Sequence, residues 1–354
     1  MEIDAVYTWV NALDPAWRRP YEHFAALELK PRGRDPATVT SIRHTDNDEL
    51  RYSLRSLERY APFIRRIHLV VDGAPPQWLD TSSPEIHVVN HQEIFPEGYA
   101  LPVFSSLLIE AFLCRIPGLA ERYVYFNDDM LLGGSCTERD FFDERGRAVV
   151  RMKPELIHAP RDPDDLIYYE ILRNTERGIR RRLRLTHPPR FTARRPWMPM
   201  LLRRLLQDRL SLNMMVHIAQ PYQRALWPIC LEMFRAELAI LARSRFRHRR
   251  GFWLNLAYQY LARERGAAVF SYEPSDMVVW RSLVFANPAL HKARLQEAAR
   301  SGIKFLCLND GLDTTGGDWG RFIEETLSEM LGAPSRWEKA CAASAPPAPK
   351  ALAP

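Results

Sequence analysis

The stretch Tyr123-Val124-Tyr125-Phe126-Asn127-Asp128-Asp129 is an apolar, strand-forming run that breaks off in an amide and two adjacent carboxylates. Two carboxylates at the end of a buried strand are costly unless a cation or a substrate proton uses them. A hard divalent ion, Mg2+ or Mn2+, is the simplest user, because it takes oxygen ligands and shares them with a diphosphate. Successive strand side chains point to opposite faces, so either the chain turns at Asp128-Asp129 or only one of the two holds the ion. Without an ion, the same triplet is an ordinary turn sequence.

Other apolar runs end in the same way. Ile3 to Val10 closes in Asn11 and Asp14, Ile67 to Val71 closes in Asp72-Gly73, and Ile303 to Leu308 closes in Asn309-Asp310-Gly311. Asp310 is a candidate third metal ligand, with a plain turn as the competing reading. Between these runs lie helical patterns. Asp46-Asn47-Asp48-Glu49 reads as a capping box, after which Leu50, Leu54 and Leu57 recur at helical spacing until Pro62. Arg51 and Arg55 sit four apart on the flank of that helix, where a guanidinium can fork onto phosphate oxygens or simply pair with Glu58. Strands alternating with helices predict parallel βαβ units, with a site where the strands' carboxyl ends converge.

The chain has 354 residues, of which 46% are hydrophobic, enough for one elaborated domain or two intimate lobes. No apolar run approaches the roughly 18 to 20 residues that cross a bilayer, and Met1-Glu2-Ile3-Asp4 lacks the start of a signal peptide, so a cytoplasmic location is expected. Cys114, Cys136, Cys230, Cys307 and Cys341 stand singly, without a zinc or disulfide pattern, and read as ordinary thiols. The net charge is +6, and only six of 49 basic residues are Lys, so arginine forms every basic cluster. Anionic partners are favoured, including an acidic membrane face. Arg180-Arg181-Arg182, Arg194-Arg195 and Arg245 to Arg250 also admit nucleic-acid binding, which is the weaker expectation because a phosphorylated glycan would use the same charges.

The expected organisation is an α/β core over residues 1–159 and 266–337, an inserted Arg-rich helical lobe over 160–265, and a disordered tail over 338–354, rich in Ala and Pro.

Four blocks resemble the Stealth family of sugar-phosphate phosphotransferases. They are Ile3 to Asn11; Asp46 to Leu57 running on to Asn127-Asp128-Asp129; Thr186-His187-Pro188-Pro189 with Arg247-His248; and Cys307-Leu308-Asn309-Asp310. The resemblance implies a mostly parallel, GT-A-like nucleotide-sugar-transferase core. It also implies Mg2+- or Mn2+-dependent transfer of a sugar 1-phosphate from a nucleotide-sugar donor, a UDP-sugar, to a glycan acceptor hydroxyl, with UMP released. Conventional glycosyl transfer releasing UDP is the close rival. By the same resemblance His187 is the general base, since imidazole titrates near neutral pH. Asp128, Glu49 and Arg247 join it in catalysis, and Asp128, Asp129 and Asp310 hold the metal. Asp4, Trp9, Asn11, Arg51, Arg55, Asp72, Glu110 and Asn127 bind substrate. A family asparagine is replaced by Ser105, which bears on the donor sugar.

Overall fold

The protein is described by a computed structural model covering residues 1–29, 47–156, 166–184, 211–272, 277–281, 288–309 and 318–340. Its strands are β1 (Ile3–Thr8), β2 (Ile67–Val71), β3 (Ile86–Asn90), β4 (Arg122–Asn127), β5 (Met130–Leu132), β6 (Ala148–Leu156), β7 (Ser211–Met215), β8 (Gln220–Gln223), β9 (Ala268–Ser271), β10 (Met277–Arg281) and β11 (Phe305–Asn309). The helices that shape the site are α1 (Pro15–Leu29), α2 (Glu49–Tyr60), α3 (His91–Ile94), α4 (Ser106–Glu110), α5 (Leu166–Leu183), α6 (Trp227–Met233), α7 (Arg235–Leu241), α8 (Leu254–Glu264), α9 (Pro288–Arg300) and α10 (Asp318–Leu331).

The main sheet runs β3-β2-β1-β4-β8. Its first four strands are parallel and β8 closes the edge antiparallel to β4. The expected α/β class with a mostly parallel sheet is therefore what forms. All of β2 and the first five residues of β1 are buried, as continuous apolar runs covered on both faces require.

Helix α2 lies where the leucine spacing predicts it and stops at Tyr60, just before Pro62. Leu50, Leu54 and Leu57 are each 1% exposed, and each contributes roughly 2 kcal/mol by leaving water. The capping box is not as read. The residue preceding the helix is Asp48, in a left-handed conformation with φ 64°. Glu49 instead accepts from the Asn47 backbone N–H at 2.6 Å and from Asn47 Nδ2 at 2.8 Å, while Asp46 lies outside the described residues.

A second sheet, β10-β11-β5, stands beside the first. Helix α2 joins the two: Ser56 Oγ accepts from the Leu132 N–H at 2.9 Å, and Tyr52 packs with Leu131, Leu306 and Leu308. Gly133 lets β5 run against its neighbour, because a Cβ there would lie 2.6 Å from the Ile303 carbonyl oxygen.

A third sheet, β7-β6-β9, revises the expected lobe. Residues 211–223 were assigned to a helical insertion, yet β7 pairs with β6, and β8 completes the main sheet. Pro221 is tolerated in β8 because that strand is an edge. Proline-rich, arginine-rich texture thus concealed two strands. The tail is revised as well. Glu338 receives the Arg55 guanidinium through two bonds of 2.7 and 2.8 Å, and residues 341–354 lie outside the described residues.

Asp4, expected to bind substrate, is instead a fully buried brace at the opposite end of β1 from the strand tips. Arg65 donates to both its oxygens at 2.9 Å, His68 Nε2 lies 2.9 Å away, and the Ala120 N–H donates at 2.8 Å. Burial by itself would raise this carboxyl, but the bonds from His68, Arg65 and Ala120 outweigh it and hold Asp4 at about 2, below the ordinary 3.8. The ionised form is therefore favoured in the folded chain. Its stabilisation, about 2 kcal/mol, is complete above pH about 4 and is lost as pH falls toward 2. Asp4→Asn should cost about 3 kcal/mol in urea unfolding at pH 7 and flatten the acid limb of stability against pH. An unchanged midpoint with weakened donor binding would return Asp4 to the substrate site.

Candidate functional site

The parallel register brings the strand tips together. Thr8 is level with Val70 on one side and Asn127 on the other, with neighbouring strands about 4.8 Å apart. At the β1 tip, Asn11 Oδ1 accepts from the Leu13 N–H at 3.0 Å, and Asp14 Oδ1 accepts from the Ala16 N–H at 2.8 Å, starting α1. The second Asp14 oxygen faces the β2 tip, where Gly73 has φ +125° and a Cβ would lie 3.9 Å from it. Burial raises the Asp72 carboxyl beside it from its ordinary value, with His91 Nδ1 at 4.0 Å.

The chain does turn at Asp128-Asp129, passing from β4 in the main sheet to β5 in the second. Asp128 Oδ1 accepts from the Asp129 N–H at 3.2 Å. The Leu308 N–H donates to the Asp129 carbonyl at 2.9 Å, so the carboxyl end of β11 arrives at the same turn. Four strand tips, distant in sequence, thus share one edge.

Around Asp129 the structure assembles side chains that the motif did not announce. Cys307 Sγ donates to Asp129 Oδ2 at 3.4 Å, and His217 Nδ1 lies 3.2 Å from that sulfur and 4.0 Å from the same oxygen. The three donor atoms lie within 4.8 Å of one another. Asn127 Nδ2 meets His217 Nε2 at 3.0 Å, and Asn127 Oδ1 accepts from the Tyr125 hydroxyl at 2.6 Å, so the imidazole is held from behind.

Asp129 Oδ1 is buried without a hydrogen-bond partner among the described residues. Burial accordingly pushes the Asp129 carboxyl upward, against the opposing influence of His217 and the Cys307 thiol. An oxygen left unpaired beside an imidazole and a sulfur is a donor set suited to a divalent ion, which would repay the desolvation. Asp128, partly exposed, is next to this set, and Asp310 lies outside the described residues.

A second cluster backs the first. Glu110 accepts from Asn255 Nδ2 at 2.8 Å, and Arg247 Nη2 donates to Ser106 Oγ at 2.7 Å. Burial lifts Glu110 to about 7, opposed by the Arg247 charge and by hydrogen bonding with Ser106, Trp253 and Tyr125. Tyr125 is shared: it also meets Thr8 Oγ1 at 2.9 Å, linking this cluster to the β1 tip and to Asn127.

Several expected ligands are placed elsewhere. Arg55 donates to Glu338 and to the Leu331 carbonyl at the end of α10. Arg51 lies 3.1 Å from Asp48 and 3.6 Å from Glu338, with its guanidinium 4.9 Å over the Trp78 ring. Glu49 is buried, its carboxylate engaged by Asn47 rather than offered to a substrate. Trp9 packs into the main core, 7% exposed. His187 falls outside the described residues. His217 and Cys307 were missed because no spacing ties them to Asp129. Cys307 lies within β11, a strand that already drew attention, whereas nothing local distinguishes His217 from the other histidines.

Fold and site together define an α/β protein whose carboxyl-edge cluster suits a divalent ion. Residues 1–22 match conserved region 1 of the Stealth proteins, and residues 43–150 match conserved region 2. The chain thus carries two of the conserved regions that define the Stealth proteins. An exopolysaccharide phosphotransferase of Streptomyces coelicolor is 34% identical over 347 residues, 95% of this chain and 52% of the relative. A capsular polysaccharide phosphotransferase of Neisseria meningitidis serogroup A is 43% identical over 152 residues, 43% of this chain and 27% of the relative. The chain spans about half the length of the Streptomyces relatives that it matches over most of its own length. Among solved structures, the galactosyltransferase LgtC with donor and acceptor sugar analogues aligns over 94% of this chain and 96% of its own, at 9% identity and a TM-score of 0.43.

Two outcomes are expected of this geometry. Asp129→Asn removes a buried carboxylate whose pKa is raised by burial, so its ionised form is a burden at neutral pH; at pH 7 the variant should be more stable in urea unfolding while losing Mn2+ binding by electron paramagnetic resonance. Lower stability with unchanged Mn2+ binding would show the carboxylate to be structural. Glu110 is neutral below about 7 and then leaves Arg247 unneutralised. Anion binding should therefore weaken as pH rises through 7, and Glu110→Gln should abolish that inflection in a uridine diphosphate titration.

Proposed function

We propose that this chain transfers a sugar 1-phosphate from a nucleotide sugar to a glycan hydroxyl, building phosphodiester linkages of a capsular or exopolysaccharide and releasing a nucleoside monophosphate. The observation that carries the reading is the common edge of four strand tips, one of which presents an Asp129 oxygen that has no hydrogen-bond partner among the described residues. Transfer at phosphorus needs charge neutralisation, alignment and a proton acceptor more than it needs covalent chemistry from the protein. The names borne by the relatives point to the same class of reaction.

Asp129, with Asp128 alongside and His217 opposite, would hold a divalent ion, which when bound neutralises charge on the donor diphosphate. Arg247, fixed by Ser106 and set against Glu110, supplies a second positive group for the phosphoryl oxygens. Asp72 and Asn11 at the neighbouring tips are positioned for the nucleoside and sugar hydroxyls. His187 remains the proposed acceptor of the glycan hydroxyl proton, on the strength of the family's third block. A UDP-sugar donor and a cytoplasmic setting at the inner membrane face complete the reading. No helix among the described residues is long and apolar enough to cross a membrane.

The arginine run at the end of α5 argues against a nucleic-acid face. Arg180 lies 2.5 Å from Glu176, and Arg181 and Arg182 lie 2.7 and 3.5 Å from Glu237, so much of that charge is answered within the fold.

The test is incubation of the chain with a panel of uridine and cytidine nucleotide sugars, Mg2+ or Mn2+, and capsular oligosaccharides, with chromatography of the nucleotide product. Monophosphate release is expected; diphosphate release would assign conventional glycosyl transfer. His187→Ala should depress kcat by at least about a hundredfold with little change in donor KM. A defect confined to KM would remove it as the base.

A further inference from the structure

The donor atoms around Asp129 are unlike those of a magnesium site. Cys307 is fully buried and forms the floor, while His217 and Asp129 are 31% and 19% exposed at the rim. The three edges of this triangle are 3.2 Å (sulfur to His217 Nδ1), 3.4 Å (sulfur to Asp129 Oδ2) and 4.0 Å (Nδ1 to Oδ2). A tetrahedral ion about 2.3 Å from sulfur and about 2.0 to 2.1 Å from nitrogen and oxygen sets edges of about 3.3 to 3.6 Å, so the two sulfur edges lie near that size and the Nδ1–Oδ2 edge closes by about 0.6 Å on binding. Mg2+ requires near-ideal octahedral oxygen and does not favour a soft sulfur.

We propose that Cys307 Sγ is a ligand of this centre, together with Asp129 and His217, so that the site takes a borderline transition ion such as Co2+ or Zn2+ in preference to Mg2+. The inference rests on the nucleotide-sugar reading only for what the ion serves, not for which ion binds. On binding, the thiol S–H bond breaks, its proton goes to water, and the sulfur electron pair forms the bond to the ion.

Asn127 gains a role from the same geometry. With Nδ1 on the ion, the imidazole proton resides on Nε2, and the Asn127 amide turns over to accept it through Oδ1. The Tyr125 hydroxyl then accepts from Nδ2 and donates to Thr8, so every member of the chain stays paired. The amide preceding the two carboxylates is thus a positioning residue for the histidine.

The experiment strips the whole chain of metal with a chelator and titrates it with Co2+ alone. A near-ultraviolet sulfur-to-cobalt charge-transfer band is expected, resistant to a large excess of Mg2+. Cys307→Ser should abolish the band and weaken Co2+ binding by at least about tenfold, while Cys230→Ser, remote from the site, should keep it. A wild-type titration without the band, or a band that survives in Cys307→Ser, overturns the proposal. Should that variant fail to fold, 113Cd magnetic resonance of the wild type decides: a downfield, sulfur-shifted signal supports the sulfur ligand, and an oxygen- and nitrogen-only position refutes it. Nucleotide release is read separately, so monophosphate production without the band sinks the ligand assignment alone. The band without any nucleotide release sinks the functional reading alone.

Discussion

The backbone bond from the Leu308 amide to the Asp129 carbonyl, 2.9 Å long, is where the two sheets become one site. The main sheet delivers three polar tips by its parallel register, but the fourth comes from a strand more than 170 residues later, in a different sheet. The turn at Asp128-Asp129 lets the chain change sheets, and β11 then pairs back on β5 with Cys307 opposite Met130. Shifting that pairing by one residue would turn the sulfur to the other face and leave Asp129 with His217 alone of its two side-chain neighbours.

The carboxylates divide into two populations by what their surroundings supply. Asp4 receives a bidentate guanidinium, an imidazole and a backbone N–H, and its charge is fully compensated at the amino end of β1. Asp129 receives a weak thiol bond on one oxygen and, among the described residues, no hydrogen-bond partner on the other. Both are acidic residues in or after apolar strands, and the sequence alone does not separate them. The contrast is physical: one carboxylate finishes the fold, whereas the other is left short of partners where a ligand can complete it.

Much of the architecture was legible because it rests on local signals. Continuous apolar runs announced β1, β2 and β4, the leucine spacing announced α2, and parallel topology followed from alternation. The common edge of the polar tips followed in turn. What stayed hidden depends on long-range pairing. Arg55 carries the same flank position as a phosphate ligand would, but its partner Glu338 stands in a stretch whose composition resembles a tail. His217 sits in a turn between two short strands that proline and arginine disguise, and it reaches Asp129 only through folding. The Asp46 to Glu49 capping pattern failed because Asp48 takes a left-handed conformation and Glu49 turns back to Asn47.

Glu338 also changes how the end of the described chain is understood. Besides holding Arg55, its segment lies alongside residues 78–80: the Asp80 N–H donates to the Trp337 carbonyl and the Lys339 N–H to the Trp78 carbonyl, each at 2.8 Å. The Trp337 indole donates to Glu85 at 2.6 Å. This last described stretch of backbone is therefore woven into the region that follows β2. A cut placed ahead of Ser335 would not separate one module from another but would unlace the α/β core itself, exposing the Trp78 ring and releasing Arg51 from Glu338.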